Sequence, residues 1–315
     1  MNFLGPTPEV ARRRLLLLSI SCISLVALIL VQSAGVGAAT VKKTTSTAAG
    51  LKKAGWGSNV TVSFSKGAVR YRSDGLPNHA RQAQYALPNA GVAVPNASSA
   101  TAGADPTKAQ NYDFTITTAP KKAKKTTSTS LGTIGVMISG AALYNPYEGD
   151  GATVAVQSNF TVTGAGGAAV TFLDSCNGHP TPNAGAYHYH ALPACVTAQV
   201  DKAKGPSHII GLAFDGFPIY GDRDIKGRKV SVAKLDACNG ITSATPEYPK
   251  GTYHYVLPDT TTSRSSIRCF AGTVSSSLVQ AMPGMGPRPA GGPPAAGVRS
   301  LVCDLAHRAA AAVTA

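Results

Sequence analysis

The chain carries none of the short signatures that usually announce an enzyme. It has no G-x-S-x-G elbow, no H-E-x-x-H helix, no phosphate loop and no dinucleotide fingerprint, so the familiar hydrolase and nucleotide-binding classes find no support. Long amphipathic helices are missing between Trp56 and Ser275, which argues against a helical bundle or a doubly wound α/β domain. Acidic residues are scarce, 15 against 29 Lys and Arg, and the formal charge is +14. That imbalance does not make a nucleic-acid reader. Between Thr127 and Ser275 there are ten Lys/Arg and ten Asp/Glu, and the excess sits in the N-terminal arginines, in Lys42-Lys43 and Lys52-Lys53, and in KKAKK at 121–125. Such clusters are solvated loops suited to acidic cell-surface polymers; no base-specific nucleic-acid binding is expected.

What is present divides the chain. Arg12-Arg13-Arg14 precede an apolar run from Leu15 to Val31, and small residues lead to Ala38 or Ala39. A basic start, an apolar stretch and a small-residue exit describe a secretory signal peptide over 1–39. The alternative is an uncleaved anchor, because the run approaches the ~20 residues that span a bilayer. The arginines are only an incomplete match to a twin-arginine signal, and Cys22 lies within the apolar run rather than at its end. Residues 40–55 read as a polar linker, 56–275 as one β-rich domain of short alternating runs such as NVTVSF and YDFTIT, and 276–315 as a Pro/Gly/Ala-rich tail ending in a possible short helix.

Export places the cysteines in an oxidising compartment, where disulfides are the first expectation. Five follow the signal: Cys176, Cys195, Cys238, Cys269 and Cys303. Cys303, beyond the Pro/Gly tract, is the odd one, free or intermolecular. An internal repeat orders the other four. LDSCNG at 173–178 returns as LDACNG at 235–240, and GAYHYHALP at 185–193 returns as GTYHYVLP at 251–258. Repeats over 173–195 and 235–269 suggest the pairs Cys176–Cys195 and Cys238–Cys269, although four cysteines permit three pairings.

The most concentrated chemistry is Tyr187-His188-Tyr189-His190, two of only seven histidines one residue apart. In an extended strand His188 and His190 share a face and form an H-x-H half-site. A complete site needs three or four ligands, and His179 in the CNGH turn and His254 in the second repeat are the nearest candidates, with His79, Asp174 and Asp215 further off. Imidazole suits Zn or Cu, and Fe or Ni as well, so the metal is not chosen by the residues. Scaffolding is the competing reading: D-x-C-N-G suits an Asx turn with Gly178 at positive φ, and the tyrosines suit a core. In FDGFPIYGD, Asp215 sits among aromatics, either as an acid or base of raised pKa or as a turn cap. Trp56 and YNPYEGD are the weak pointers to a carbohydrate surface.

These segments resemble the YHYH family, named for the tetrapeptide at 187–190. SDGLPNH (73–79), IGVMISGAALYNP (134–146), DSCNGHPTP (174–182), GLAFDGFPIYG (211–221) and LDACNG (235–240) stand in the family's order. The resemblance implies an exported protein and brings no established activity with it. The second copy departs from the family pattern, because Val256 stands where a last histidine is common. Two functional classes follow: an exported metal-binding domain centred on His188 and His190, or a non-catalytic, disulfide-stapled surface module that binds a glycan or a partner protein. Whether the chain is an enzyme is left open.

Overall fold

The structure is a computed structural model and describes residues 46–279. The expected signal segment, the first part of the linker, most of the tail, Cys22 and Cys303 lie outside the described residues. Strands dominate, and the α-helices among the described residues are two short ones, α1 (Ala48–Leu51) and α2 (Ala194–Val200).

The strands before the centre are β1 (Val60–Ser65), β2 (Ala68–Ser73), β3 (Gln84–Pro88), β4 (Ala100–Ala104), β5 (Tyr112–Thr117) and β6 (Lys122–Ser128). β1, β2 and β5 are built on period-two alternation. In β2, Val69 and Tyr71 are buried while Arg70 and Arg72 face out, and Phe114 and Ile116 of β5 lie on the same buried side. Lys66-Gly67 turns β1 into β2, with Gly67 at φ 79°, and β5 completes a three-stranded antiparallel sheet. β3 and β4 form a separate hairpin.

Next come β7 (Thr133–Met137), β8 (Ala142–Tyr144), β9 (Thr161–Thr163), β10 (Ala169–Thr171), β11 (Gly178–Pro180), β12 (Tyr187–Tyr189), β13 (Ile209–Ala213), β14 (Pro218–Tyr220), β15 (Gly240–Ser243), β16 (Thr252–Val256) and β17 (Cys269–Gly272). Eight of them make one sheet in the order β11-β12-β8-β7-β13-β14-β16-β15. Its two middle strands, β7 and β13, come from uninterrupted apolar runs and are buried along their whole length, as strands covered on both faces must be. They pair antiparallel. Outward from them, β8 and β14 pair antiparallel with their neighbours, β12 and β16 parallel, and β11 and β15 antiparallel. Both turns that reverse the chain beside the centre carry a glycine at positive φ, Gly140 (99°) and Gly216 (86°).

Disulfides join Cys176 to Cys195 and Cys238 to Cys269, with Cα separations of 5.5 and 4.8 Å, within the range a disulfide spans. The first ties the turn before β11 to α2, and the second ties the turn before β15 to β17.

Two local expectations change. The polar linker read over 40–55 is part of the fold in its second half: Leu51 enters the main core, Thr47 Oγ1 donates to Gly216 O at 3.1 Å, and Trp56 Nε1 donates to Leu51 O at 2.8 Å. A single buried leucine among polar neighbours leaves no periodic trace. In the CNG turns the left-handed residue is the asparagine, Asn177 (φ 57°) and Asn239 (φ 68°), not Gly178. Gly178 and Gly240 are required for space, since a Cβ on either would meet the ring of Tyr187 or Tyr253.

Candidate metal centre

β11 and β12 run antiparallel with His179 opposite His188, so the turn that Cys176 and Asn177 shape delivers one imidazole onto the strand that carries two more. His190 follows two residues after His188 and lies on the same side. Its backbone N–H donates to Asn177 O at 3.0 Å, which fixes the end of the strand to the turn. All three histidines are buried, and one ligand nitrogen from each falls within 4.8 Å of the others.

The ring protons can be assigned from partners that only accept. His188 Nδ1 lies 2.9 Å from Ala186 O, and His190 Nδ1 lies 2.7 Å from Asn145 O, so each neutral ring carries its hydrogen on Nδ1. Both Nε2 atoms are then bare, yet they are 3.0 Å apart, and His179 Nε2 is 3.3 Å from His190 Nε2. Lone pair faces lone pair across His188 and His190 unless a cation lies between. A proton is a poor one here. Burial holds His179 and His188 well below 6.5, with mutual repulsion between the imidazoles adding to it, and burial brings His190 down to about 4. Nitrogens on a tetrahedral zinc, at ~2.0–2.1 Å from the metal, stand about 3.3 Å from one another, close to the spacing found. Carbonyls on the far ring nitrogen are the usual orienting partners of metal-bound histidine.

The surrounding side chains fix the rings. Tyr144 stacks on His188 at 3.8 Å between centroids, and Phe172 lies 4.3 Å from His179. On the opposite face of β12 the two tyrosines do structural work. Tyr187 Oη and Tyr85 Oη donate to Asp174 Oδ2 at 2.7 and 2.8 Å, while Asp174 Oδ1 accepts from the N–H of Cys176 and of Gly178. Tyr189 Oη lies 2.9 Å from Ser139 Oγ and 2.6 Å from His79 Nε2.

The other candidates lie elsewhere. His254 is on β16, with four strands between it and β12. At ~4.8 Å per strand that is about 24 Å, out of reach of the same ion. Its Nδ1 lies 3.1 Å from Thr252 O, its ring meets Tyr220, and its pKa falls to about 4 through burial. Ile241 faces it across β15, and Val256 follows two residues later, so it has no second imidazole from either position. His79 Nδ1 is 3.5 Å from Cys176 Sγ, but the sulfurs of Cys176 and Cys195 are bonded to each other and are not thiolate ligands. Asp174 holds the turn, as above. Asp215 accepts from Tyr255 Oη at 2.6 Å and from the Gly272 N–H at 2.9 Å, which anchors β17. Burial raises it to about 6, against the hydrogen bonds that lower it, but it does not border the cavity over the histidines. Trp56 packs edge-on against Tyr71.

That cavity, about 680 Å³, is bordered by His179, His188 and His190 and by Tyr112, Tyr144 and Phe172. One of its residues was singled out in the sequence only as part of the YNPYEGD stretch: Glu148 is 7% exposed and its Oε1 has no hydrogen-bond partner. Burial, with Asp150 nearby, raises its carboxyl to about 8. The signal available for it was a pair of acids, Glu148 and Asp150, in a turn-rich stretch.

A family model described as YHYH protein matches residues 113–229 and 222–272. No curated protein matches the chain, and no solved structure does.

Proposed function

The chain belongs to the YHYH protein family, and on that premise we propose that it binds one transition-metal ion through the Nε2 atoms of His179, His188 and His190. The observation that carries this reading is the pair of bare Nε2 atoms 3.0 Å apart, each with its ring hydrogen already committed to a carbonyl. Three protein ligands leave a fourth position for water or a ligand, the arrangement of catalytic rather than structural zinc sites. Zinc and copper both suit three imidazoles. The experiment is a titration of tag-free protein with zinc. One equivalent is expected, and His188→Ala or His190→Ala should weaken binding by more than about 100-fold while His254→Ala leaves it intact. A His188→Ala protein that binds zinc as tightly as the parent overturns the reading; the histidines are then scaffold of a surface module for a glycan or partner protein.

Two further parts belong to the proposal. The halves β7-β8-β11-β12 and β13-β14-β15-β16 are copies of one unit, supported by their identical pairing order and by the repeated CNG and YHY segments. The protein is exported, supported by the character of residues 1–39 and by two disulfides. Exposed Lys122, Lys124 and Lys125 on β6, with Lys121 just before it, would meet acidic polymers outside the cell. No helix among the described residues is long and apolar enough to cross a membrane.

A further inference from the structure

Resting on the metal reading above, we propose that the cavity over the histidines binds a small organic acid with an aromatic or apolar body, its carboxylate on the metal and one carboxylate oxygen accepting a hydrogen bond from Glu148. Three observations fit together. The walls near the histidines are aromatic, with Tyr112, Tyr144, Tyr147 and Phe172 on the border, and 680 Å³ is the size of a small-molecule site. Among the described residues bordering the cavity there is no Lys or Arg, so a metal is the one cation that can hold an anion there. And Glu148 Oε1 is buried on that border with nothing to bond to. A buried polar atom without a partner costs roughly 1–3 kcal/mol, which a ligand oxygen would relieve.

Glu148 must be the donor, and its surroundings make it one. Its own loop supplies Asp150, which stays ionised: burial works against that charge, but hydrogen bonds from Thr153 and Ala152 hold its pKa below 3.8. The same cavity is bordered by Tyr112 of β5 and Tyr144 of β8, both pushed above their ordinary range by burial, and by Tyr147 from the loop itself. None of these is a cation. In the metal-free protein a carboxyl in that company keeps its proton up to about pH 8; a metal ion nearby lowers that value, and while protonated the carboxyl donates one hydrogen bond.

The test uses Co(II)-loaded full chain, whose visible absorption reports ligands on the metal, with benzoate as the probe and acetate as its comparison. Benzoate should change the cobalt spectrum at pH 7 and bind at least about tenfold more tightly than acetate, because only its ring buries apolar surface. Glu148→Ala should weaken benzoate by about fivefold or more. Glu148→Gln, which keeps a neutral donor, should bind benzoate as the parent does at the acidic end of the range and more tightly than the parent at the alkaline end, where the parent's carboxylate repels the probe. A metal-bound hydroxide would compete equally in both proteins, so the difference between them isolates Glu148. Cobalt that binds with one equivalent but a spectrum indifferent to benzoate overturns the ligand assignment and leaves the metal centre standing; so does an identical pH profile in parent and Glu148→Gln. No cobalt bound overturns both.

Discussion

At the scale of single residues the main cost is desolvation of imidazole. His190 and His254 both titrate near 4 when folded, against 6.5 for an exposed ring. As pH falls the unfolded chain takes those protons first, so stability that is complete above pH 6.5 is lost between 6.5 and 4, by roughly 3 kcal/mol for each ring. Asp215 works in the opposite direction: raised to about 6 from 3.8, it favours the folded state at low pH and withdraws that support as pH rises through 6. His254 lies apart from the other three, so the metal-free protein offers a clean comparison. Urea unfolding at pH 7, 5.5 and 4.5 should show His254→Leu losing less stability on acidification than the parent. Equal losses would mean that His254 is not desolvated. Period two alone put His188 and His190 on one side, and the short CNG turn made His179 a neighbour. His254 could not be placed that way, because its distance depends on the order of eight strands, which no local spacing encodes. Glu148 was illegible for a similar reason: its burial is a tertiary property of a loop that, residue by residue, reads as polar.

At the scale of the element, each CNG turn and the YHY strand behind it form one mechanical piece. Asp174 gathers two tyrosine hydroxyls and two backbone N–H groups, and Asp236 repeats this with one tyrosine fewer, accepting from Tyr253 Oη at 2.9 Å and from the N–H groups of Cys238 and Gly240. Asp174→Ala leaves those buried donors without an acceptor and should lower stability by at least about 3 kcal/mol. Gly178→Ala forces a methyl into the Tyr187 ring and should cost about 1–3 kcal/mol, whereas Asn177→Gly, at a residue already left-handed, strains nothing and should lose only the hydrogen bond from Asn177 Nδ2 to Leu192 O, about 0.5–1.5 kcal/mol. Denaturant midpoints of the three variants check this; an alanine tolerated at 178 would mean that the ring does not pass there. The aspartates and tyrosines were visible as types in the sequence, but not that one carboxylate would serve both strands.

For the molecule as a whole, the two disulfides should separate stability from binding. Each closes a short loop, spanning 19 and 31 residues, and its removal as a Cys→Ser pair should cost roughly 2–4 kcal/mol. Only Cys176–Cys195 brackets the metal ligands, three residues before His179 and five after His190. Its loss should therefore weaken zinc as well, while the Cys238/Cys269 double variant keeps the parent's affinity. Calorimetric zinc titrations of both variants distinguish them, and equal weakening in both would mean that the first disulfide does not hold the ligands. The strand-rich, disulfide-stapled character was readable from alternation and cysteine placement; the eight-stranded sheet was not, because its central β7–β13 pair joins segments some 75 residues apart.

The far half of that sheet is a ready blueprint for construction. Ile241 sits opposite His254 as His179 sits opposite His188, and Val256 stands two residues beyond His254 as His190 stands two beyond His188. Tyr220 already lies against His254, edge-on at 4.8 Å between centroids where Tyr144 stacks on His188 at 3.8 Å. Writing two imidazoles into this hydrophobic mould, as Ile241→His with Val256→His, should raise zinc from one equivalent to two. If the capacity stays at one, the two halves share a pattern of strands but not a socket.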